Sequence, residues 1–344
     1  MEKKFVNILR DPLTGNNLNL VVFTEKEDNI IDGLLIDTSL KNIYCISAGV
    51  PIMLESGIPA AFYQQYEKEV GKQKDLYPGI KIVVAHQSKD WSFSHEWDFF
   101  ENESMGKTWH MTVEDRYVKF LFENQVTEDE VKSKLILDAG CGNGTHTENV
   151  SRHCASIVGL DFSESIFNAE KRRTSKNLLF VQGDLQKPPF AEETFDMIIS
   201  NGVIHHTPST YTTFLSVSKL SKMNGSLYLW LYSRQGNLGW RFKRRCFDIA
   251  RMIVCRLPGN FQKMAVSVTT FLLFNIRKLL GYHDDFLDIK LDIYDSITPR
   301  WRHYHEPLEV RGWYLSNGYS QVLFSSWETW YGFGILGKRK PGKI

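Results

Sequence analysis

Two adjacent imidazoles, His205 and His206, follow an apolar run that ends at Asn201. A histidine titrating near neutrality is able to take a proton from a hydroxyl, so either is a candidate general base. Three carboxylates stand at or just past the ends of other apolar runs: Asp138, Asp161 and Asp184. Between the first two lie Gly140, Gly142 and Gly144, residue types that let the backbone turn sharply and approach a ligand closely. Asp161 follows this turn by about 20 residues, where a carboxylate at the end of a second strand receives two ribose hydroxyls. It also has the position of a helix cap before residues 163–165, and Asp184 that of a turn acid before Pro188 and Pro189. Cys141, inside the glycine turn, is read as a small residue rather than a reactive one, because nothing basic nearby would lower its pKa. A further cluster, Trp301, His303, Tyr304 and His305 in RWRHYHEP, is a candidate lining for an acceptor pocket. His303, His305 and Glu306 mimic metal ligands, yet no further ligand with suitable spacing follows, so no metal is expected.

Strands and helices must position these groups. Residues 135–138 read as a buried strand, 146–154 as helix-compatible and 156–160 as a second strand. Strands at 178–182, 195–200 and 226–232 continue the pattern, with helices at about 164–173 and 209–221, the latter stopping at Asn224-Gly225. A helix at 306–316 and strands at 319–324 and 330–334, an antiparallel edge hairpin, complete it. Alternating strand and helix calls for an α/β fold with a parallel, doubly wound sheet, whose ligands bind beyond the carboxyl ends of the strands. The glycine spacing is G-x-G-x-G, whereas a dinucleotide fingerprint is G-x-G-x-x-G, so a cofactor without a pyrophosphate is favoured and a nicotinamide dehydrogenase is the weakest reading.

Taken together, DAGCGNG, GLDFSES, QGDLQKPPF and FDMIISNGVIHHTP resemble the four successive motifs of class I S-adenosylmethionine-dependent methyltransferases. The resemblance covers residues 132–231 closely and the flanks more loosely. It implies a Rossmann-like, seven-stranded, mostly parallel sheet and S-adenosyl-L-methionine as cofactor. Asp138 and the backbone of Gly140, Cys141 and Gly142 would surround the methionine part, and Asp161 would take the ribose hydroxyls. Phe162 would lie against the adenine, Asp184 would accept from its amino group with Leu185 beside it, and Asn201 would sit where the methionine end meets the acceptor. WSFSHEWDFF, with Trp97, is similar to an aromatic stretch that closes over cofactor and substrate in such enzymes; its plainer reading is a helix buried by its rings. Residues 1–57 resemble the small zinc ribbon that accompanies many methyltransferases. There cysteine pairs would stand close to Asp11 and Thr14 and again near Asp37; these positions carry no thiol here, which implies a β unit without metal.

The expected organisation is a ribbon-like unit at 1–57, a helical linker and lid at 58–131 with a helix at 60–70, the cofactor-binding domain at 132–232 and 301–340, and a helical insertion at 233–300. The first part of the insertion is basic, with Arg241, Lys243, Arg244 and Arg245 in close succession, and its second part is apolar. It reads as a cap over the substrate; the alternative is peripheral membrane contact through 241–280. The chain of 344 residues has net charge +1 and five cysteines without a CxxC pair. A reducing, cytoplasmic setting is expected, since neither a signal-peptide core nor a membrane span is apparent. The expected activity is methyl transfer to an oxygen or nitrogen of a small-molecule, sugar or lipid-linked acceptor. An RNA methyltransferase is the alternative, opposed by the near-zero charge and by aromatic and basic residues that are not interleaved. A non-catalytic partner protein is opposed by the intact glycines and acids.

Overall fold

The structure, a computed structural model, describes residues 1–39, 41–85, 111–283, 285–325 and 331–341. An antiparallel meander opens the chain: β1 (Leu18–Lys26), β2 (Asn29–Asp37), β3 (Ile43–Ser47) and β4 (Val50–Ile52). After the short β5 (Ile58–Pro59), the helix expected at 60–70 is broken at Tyr66 into α1 (Ala60–Gln65) and α2 (Glu67–Leu76), and β6 (Val84–Ala85) follows. Helix α3 (Val113–Asn124) begins with a capping box between Thr112 and Asp115, and α4 (Glu128–Val131) with one between Thr127 and Glu130. The alternating region comprises β7 (Leu135–Ala139), α5 (Thr145–Ser151), β8 (Ser156–Asp161), α6 (Ser165–Arg172), β9 (Leu178–Gln182), β10 (Phe195–Asn201), α7 (Thr210–Ser218) and β11 (Ser221–Tyr232). The insertion folds as three helices, α8 (Leu238–Val254), α9 (Gly259–Leu279) and α10 (Phe286–Ile297). Helix α11 (Pro307–Ser316), started by proline in its first turn, then leads to β12 (Tyr319–Phe324) and β13 (Gly332–Arg339).

The sheet runs β1-β2-β3-β4-β9-β8-β7-β10-β11-β13-β12 and so has eleven strands rather than the expected seven. Strands β9, β8, β7, β10 and β11 are parallel neighbours, while β13 and β12 close one side antiparallel. The four added strands are the N-terminal meander, which joins the other side where Ile52 pairs with Gln182 and the Met53 amide donates to the Gln182 carbonyl at 2.8 Å. The meander thereby meets β9 at its last residue, giving the Gln182 carbonyl a partner there. Its apolar residues merge with those of the sheet, so that Phe5, Leu9, Leu35 and Tyr44 share one core with Leu160, Val181 and Phe190.

Asn224-Gly225 does not stop a helix. Helix α7 ends at Ser218, and the pair lies within β11, where the register jumps from Phe195↔Ser221 to Met197↔Ser226 and Asn224 takes a positive φ of 62°. A turn signal here serves a bulge. In the N-terminal unit, the loops where a ribbon would hold metal are joined by hydrogen bonds. Buried Asp11 accepts through Oδ1 from the Leu13 amide (2.7 Å), the Thr14 amide (3.0 Å) and the Tyr44 hydroxyl (3.2 Å), and through Oδ2 from the Asn42 side chain (2.8 Å). Asp37, also buried, accepts from the amide and the hydroxyl of Ser39. Cys45 is buried in strand β3 and its thiol is held protonated by that burial.

Candidate functional site

Parallel strands place all their carboxyl ends at one edge of the sheet, and the register shows how closely. Asp138 stands opposite Gly159 on one side and Ile199 on the other, and Asp161 opposite Gln182. The glycine turn, Asp161, Phe162, Asp184, Leu185 and Asn201 therefore lie along a single rim. The turn is anchored by the Gly140 and Cys141 amides, which both donate to the Leu160 carbonyl at 2.7 and 3.1 Å. Gly140 has φ +95°, and a Cβ there would come within 2.3 Å of a Val203 methyl, so the loop after β10 packs directly on the turn. Ser200 ties the same two strand ends together by donating to the Ala139 carbonyl at 2.8 Å.

Asp161 organises the rim. Its Oδ2 accepts from the Gly142 amide at 2.8 Å, and its Oδ1 from the amide and hydroxyl of Ser163 at 2.8 and 2.6 Å. A carboxylate offers about four lone-pair sites. One on Oδ2 thus remains for a ligand hydroxyl, and a second is freed when the Ser163 hydroxyl turns to Ser165, 2.5 Å away. Beside it, the Phe162 ring is 46% exposed, an apolar face open to solvent at the rim. Asp184 accepts from the Gln186 amide at 2.8 Å, which is the turn role its sequence position suggested, and Leu185 is buried behind it. Asn201 is exposed at the last position of β10.

Asp138 is different in kind. It is only 6% exposed and its Oδ2 accepts from the Thr147 hydroxyl at 2.6 Å. Burial pushes its carboxyl up to about 7, with the Thr147 hydrogen bond opposing and the charge of Asp161 adding to the rise. Burial, reinforced by Asp161 and Asp138, also pushes the Cys141 thiol well up, and its sulfur packs against Gly159, in keeping with a small residue rather than a nucleophile.

The two histidines part company. The short 3-10 turn Ile204–His206 drives His205 wholly inside, where neither ring nitrogen has a hydrogen-bond partner. Burial, then the neighbouring His206 and Arg302 charges, hold its pKa well below the usual range, so the ring stays neutral. The expectation that it is a base is corrected on this point: it has no access to a ligand. His206 faces two acceptors, with Nδ1 2.9 Å from the Trp301 carbonyl and Nε2 3.1 Å from Asp295 Oδ1. Nδ1 is thus hydrogen-bonded, and Nε2 is buried against the Asp295 carboxylate. Asp295 belongs to α10 of the insertion; it also accepts from the Tyr232 hydroxyl, and Arg302 lies 4.0 Å from its Oδ2. Although burial pulls the Asp295 carboxyl upward, His206, Arg302 and Tyr232 prevail and hold it at about 2.

The residues around Arg302 fasten the insertion to the loop after β10. The His303 amide donates to the His205 carbonyl (2.9 Å), and His303 Nε2 lies 3.1 Å from the Thr207 carbonyl. His305 Nε2 lies 3.0 Å from the Thr210 hydroxyl and its Nδ1 3.7 Å from Glu309. Trp301 is partly exposed, and the guanidinium of Arg244 stacks over the Tyr304 ring at 4.6 Å from its centroid. Among the described residues no group of three or more His, Cys, Asp or Glu is arranged to hold a metal ion. Trp97 lies outside the described residues. Three parts of this site were missed in the sequence: Thr147, Ser163 and Asp295. Ser163 had a signal, as the second residue after a strand-end acid, whereas nothing local marks Asp295 as the partner of His206.

With this geometry in hand, comparison with known proteins is specific for the alternating region. The family described as "Methyltransferase domain" matches residues 137–229. The malonyl-[acyl-carrier protein] O-methyltransferase of Legionella pneumophila is 30% identical over 102 residues, 28% of this chain and 36% of that protein. The ubiquinone biosynthesis O-methyltransferase of Coxiella burnetii is 28% identical over 109 residues, 31% of this chain and 45% of that protein. The chain thus spans less than half the length of these relatives. The structure of magnesium protoporphyrin IX methyltransferase from Synechocystis with bound SAH superposes with TM-score 0.44 at 16% identity, covering 73% of this chain and 97% of that one. Residues 137–229 thus match a methyltransferase domain.

Proposed function

We propose that the whole chain transfers a methyl group from S-adenosylmethionine to an oxygen of a small-molecule or lipid-linked acceptor. The observation that carries this reading is the Asp161 rim: a carboxylate with lone pairs to spare, bonded to the glycine turn at Gly142 and flanked by the exposed ring of Phe162. Such a donor and acceptor set fits a nucleoside. In this reading Asp161 takes the ribose hydroxyls, Phe162 covers the adenine, Asp184 accepts from the adenine amine, and Asp138 with the Gly140–Gly142 backbone receives the methionine end. The bound cofactor supplies a sulfonium methyl that is already activated. The work left to the chain is to hold donor and acceptor in line, from which most of the acceleration of such a displacement derives. Oxygen is favoured over nitrogen because both relatives above are named as O-methyltransferases. His205 and His206 act in this reading by shaping the loop after β10, because one is enclosed and the other is packed between the Trp301 carbonyl and the Asp295 carboxylate.

Calorimetric titration with S-adenosylmethionine and with its demethylated product tests the cofactor role. Saturable heat is expected, and Asp161→Ala is expected to weaken binding by about 1 to 3 kcal/mol through loss of charge-assisted hydrogen bonds. Absence of binding at millimolar ligand refutes the reading. Incubation with methyl-labelled cofactor and cell extract then assigns the acceptor, with label expected in small-molecule or lipid fractions; label in RNA would overturn the acceptor class.

A further inference from the structure

We propose that the outward faces of α8 and α9 dock on an anionic lipid surface. Both helices bury their inner faces against α10, in a cluster that includes Val254, Val266, Ile289, Ile293, Tyr294 and Ile297. A surface helix normally turns polar residues to the opposite side. Helix α9 does not: Phe261, Met264, Val268, Phe271, Leu272 and Leu279 recur at helical spacing on the outward side, and each is more than half exposed. On α8, Leu238 is 83% exposed and Phe242 72%, and Ile249, Met252 and Ile253 continue the stripe. Two helices with so many exposed apolar side chains call for a covering partner.

The charge says which. Residues 238–279 hold nine Lys and Arg against Asp248 alone, a net +8, while the whole chain is +1, which leaves −7 for the rest. Arg241, Arg245, Arg256 and Lys263 are exposed within or between these two helices. Long basic side chains flanking an apolar face are suited to lying in a headgroup layer, stems along the apolar surface and charges on the phosphates. A protein partner would instead require matching acids within an otherwise apolar interface. Among the described residues no helix is long and apolar enough to cross a membrane, so contact is interfacial. The opposite side of the insertion reaches the strand-end rim through Asp295, so docking would hold the rim behind the insertion, and a lipid-linked acceptor would reach it around the insertion. Only this consequence rests on the methyl-transfer reading; the docking does not.

The test is co-sedimentation of the full chain with vesicles of phosphatidylcholine, with and without about 30 mol% phosphatidylglycerol, at about 50 mM and about 500 mM salt. Association with the anionic vesicles that weakens at high salt is expected. Arg241→Gln with Arg245→Gln should lower partitioning about twenty-five-fold, at about fivefold per basic residue. Phe271→Ser with Leu279→Ser should lower it at least about tenfold through lost apolar burial. Thermal melts that superpose on the parent verify that each variant is folded. No association with anionic vesicles at low salt, or association indifferent to both folded variants, overturns the proposal. So does a stable dimer dissociated by Phe271→Ser, which would assign the face to a second copy. Vesicle binding requires neither cofactor nor turnover, so its failure leaves the methyl-transfer reading standing, and the converse holds.

Discussion

Asp138→Asn should stabilise the protein in alkaline solution and lose that advantage in acid. In the fold, burial raises the Asp138 carboxyl from its ordinary 3.8 to about 7, against the hydrogen bond from Thr147 and with help from the Asp161 charge. An acid raised in this way favours the protonated folded state. Its destabilising effect is absent below the unfolded pKa and complete above the folded one. At roughly 1.4 kcal/mol per tenfold change in proton affinity the full cost is about 4 kcal/mol, of which about 2.5 kcal/mol develops between pH 5 and pH 8. Asparagine removes the ionisation while its carbonyl keeps the Thr147 bond. It introduces an amide donor whose burial without a partner costs about 1 to 3 kcal/mol at every pH. The variant is therefore expected to be about 1 to 3 kcal/mol more stable than the parent at pH 8, and to give up about 2.5 kcal/mol of that difference by pH 5. Urea denaturation of both proteins at the two pH values measures it. A stability difference that stays constant within about 0.5 kcal/mol from pH 5 to pH 8 would refute the claim that this carboxylate is strained by burial. The same variant should bind S-adenosylmethionine more weakly, because a costly buried charge is retained where a ligand cation repays it.

Two further substitutions probe the turn and the N-terminal knot. Gly140→Ala places a methyl 2.3 Å from Val203 at a φ of +95°, so strain and overpacking together should cost about 2 to 5 kcal/mol and abolish cofactor binding; an unchanged melting temperature with unchanged calorimetric affinity contradicts the packing argument. Asp11→Ala removes the acceptor of the Tyr44 hydroxyl and the Asn42 amide and should cost about 2 to 4 kcal/mol in urea denaturation, whereas a cost below about 0.5 kcal/mol would mean that the knot does not hold the N-terminal loops.

Most of the parallel strands were legible because they are short apolar runs closed by an acid or a glycine turn, a signal contained in their own residues. For the same reason the rim was legible: Asp138, Gly140, Asp161, Asp184 and Asn201 inherit their places from the strands that end there. The meander's junction with the sheet was not, because the pairing of Ile52 with Gln182 is a property of two edges and leaves no trace in either segment. Asn224-Gly225 misled for a related reason, since a dipeptide that favours positive φ suits a helix stop and a strand bulge equally, and only the neighbouring β10 decides between them. Asp11 offered a partial signal. The ribbon resemblance singled out its position, but the Tyr44 and Asn42 donors that meet it come from the far side of the meander.

His205 and His206 carry the sharpest lesson about what composition conceals. Identical in type and adjacent in sequence, they are separated by the direction in which a single 3-10 turn points them, one into the core and one onto Asp295. In this fold both are part of the packing of the loop after β10. The His206–Asp295–Arg302 group, with the Tyr232 hydroxyl, is the joint between sheet and insertion. Removing one partner of a buried pair costs about 3 to 5 kcal/mol, because the other charge is left without compensation. This joint ties α10 to the loop after β10, while α8 and α9 turn basic and apolar side chains outward. The insertion is thus fastened on its inner side and exposed on its outer one.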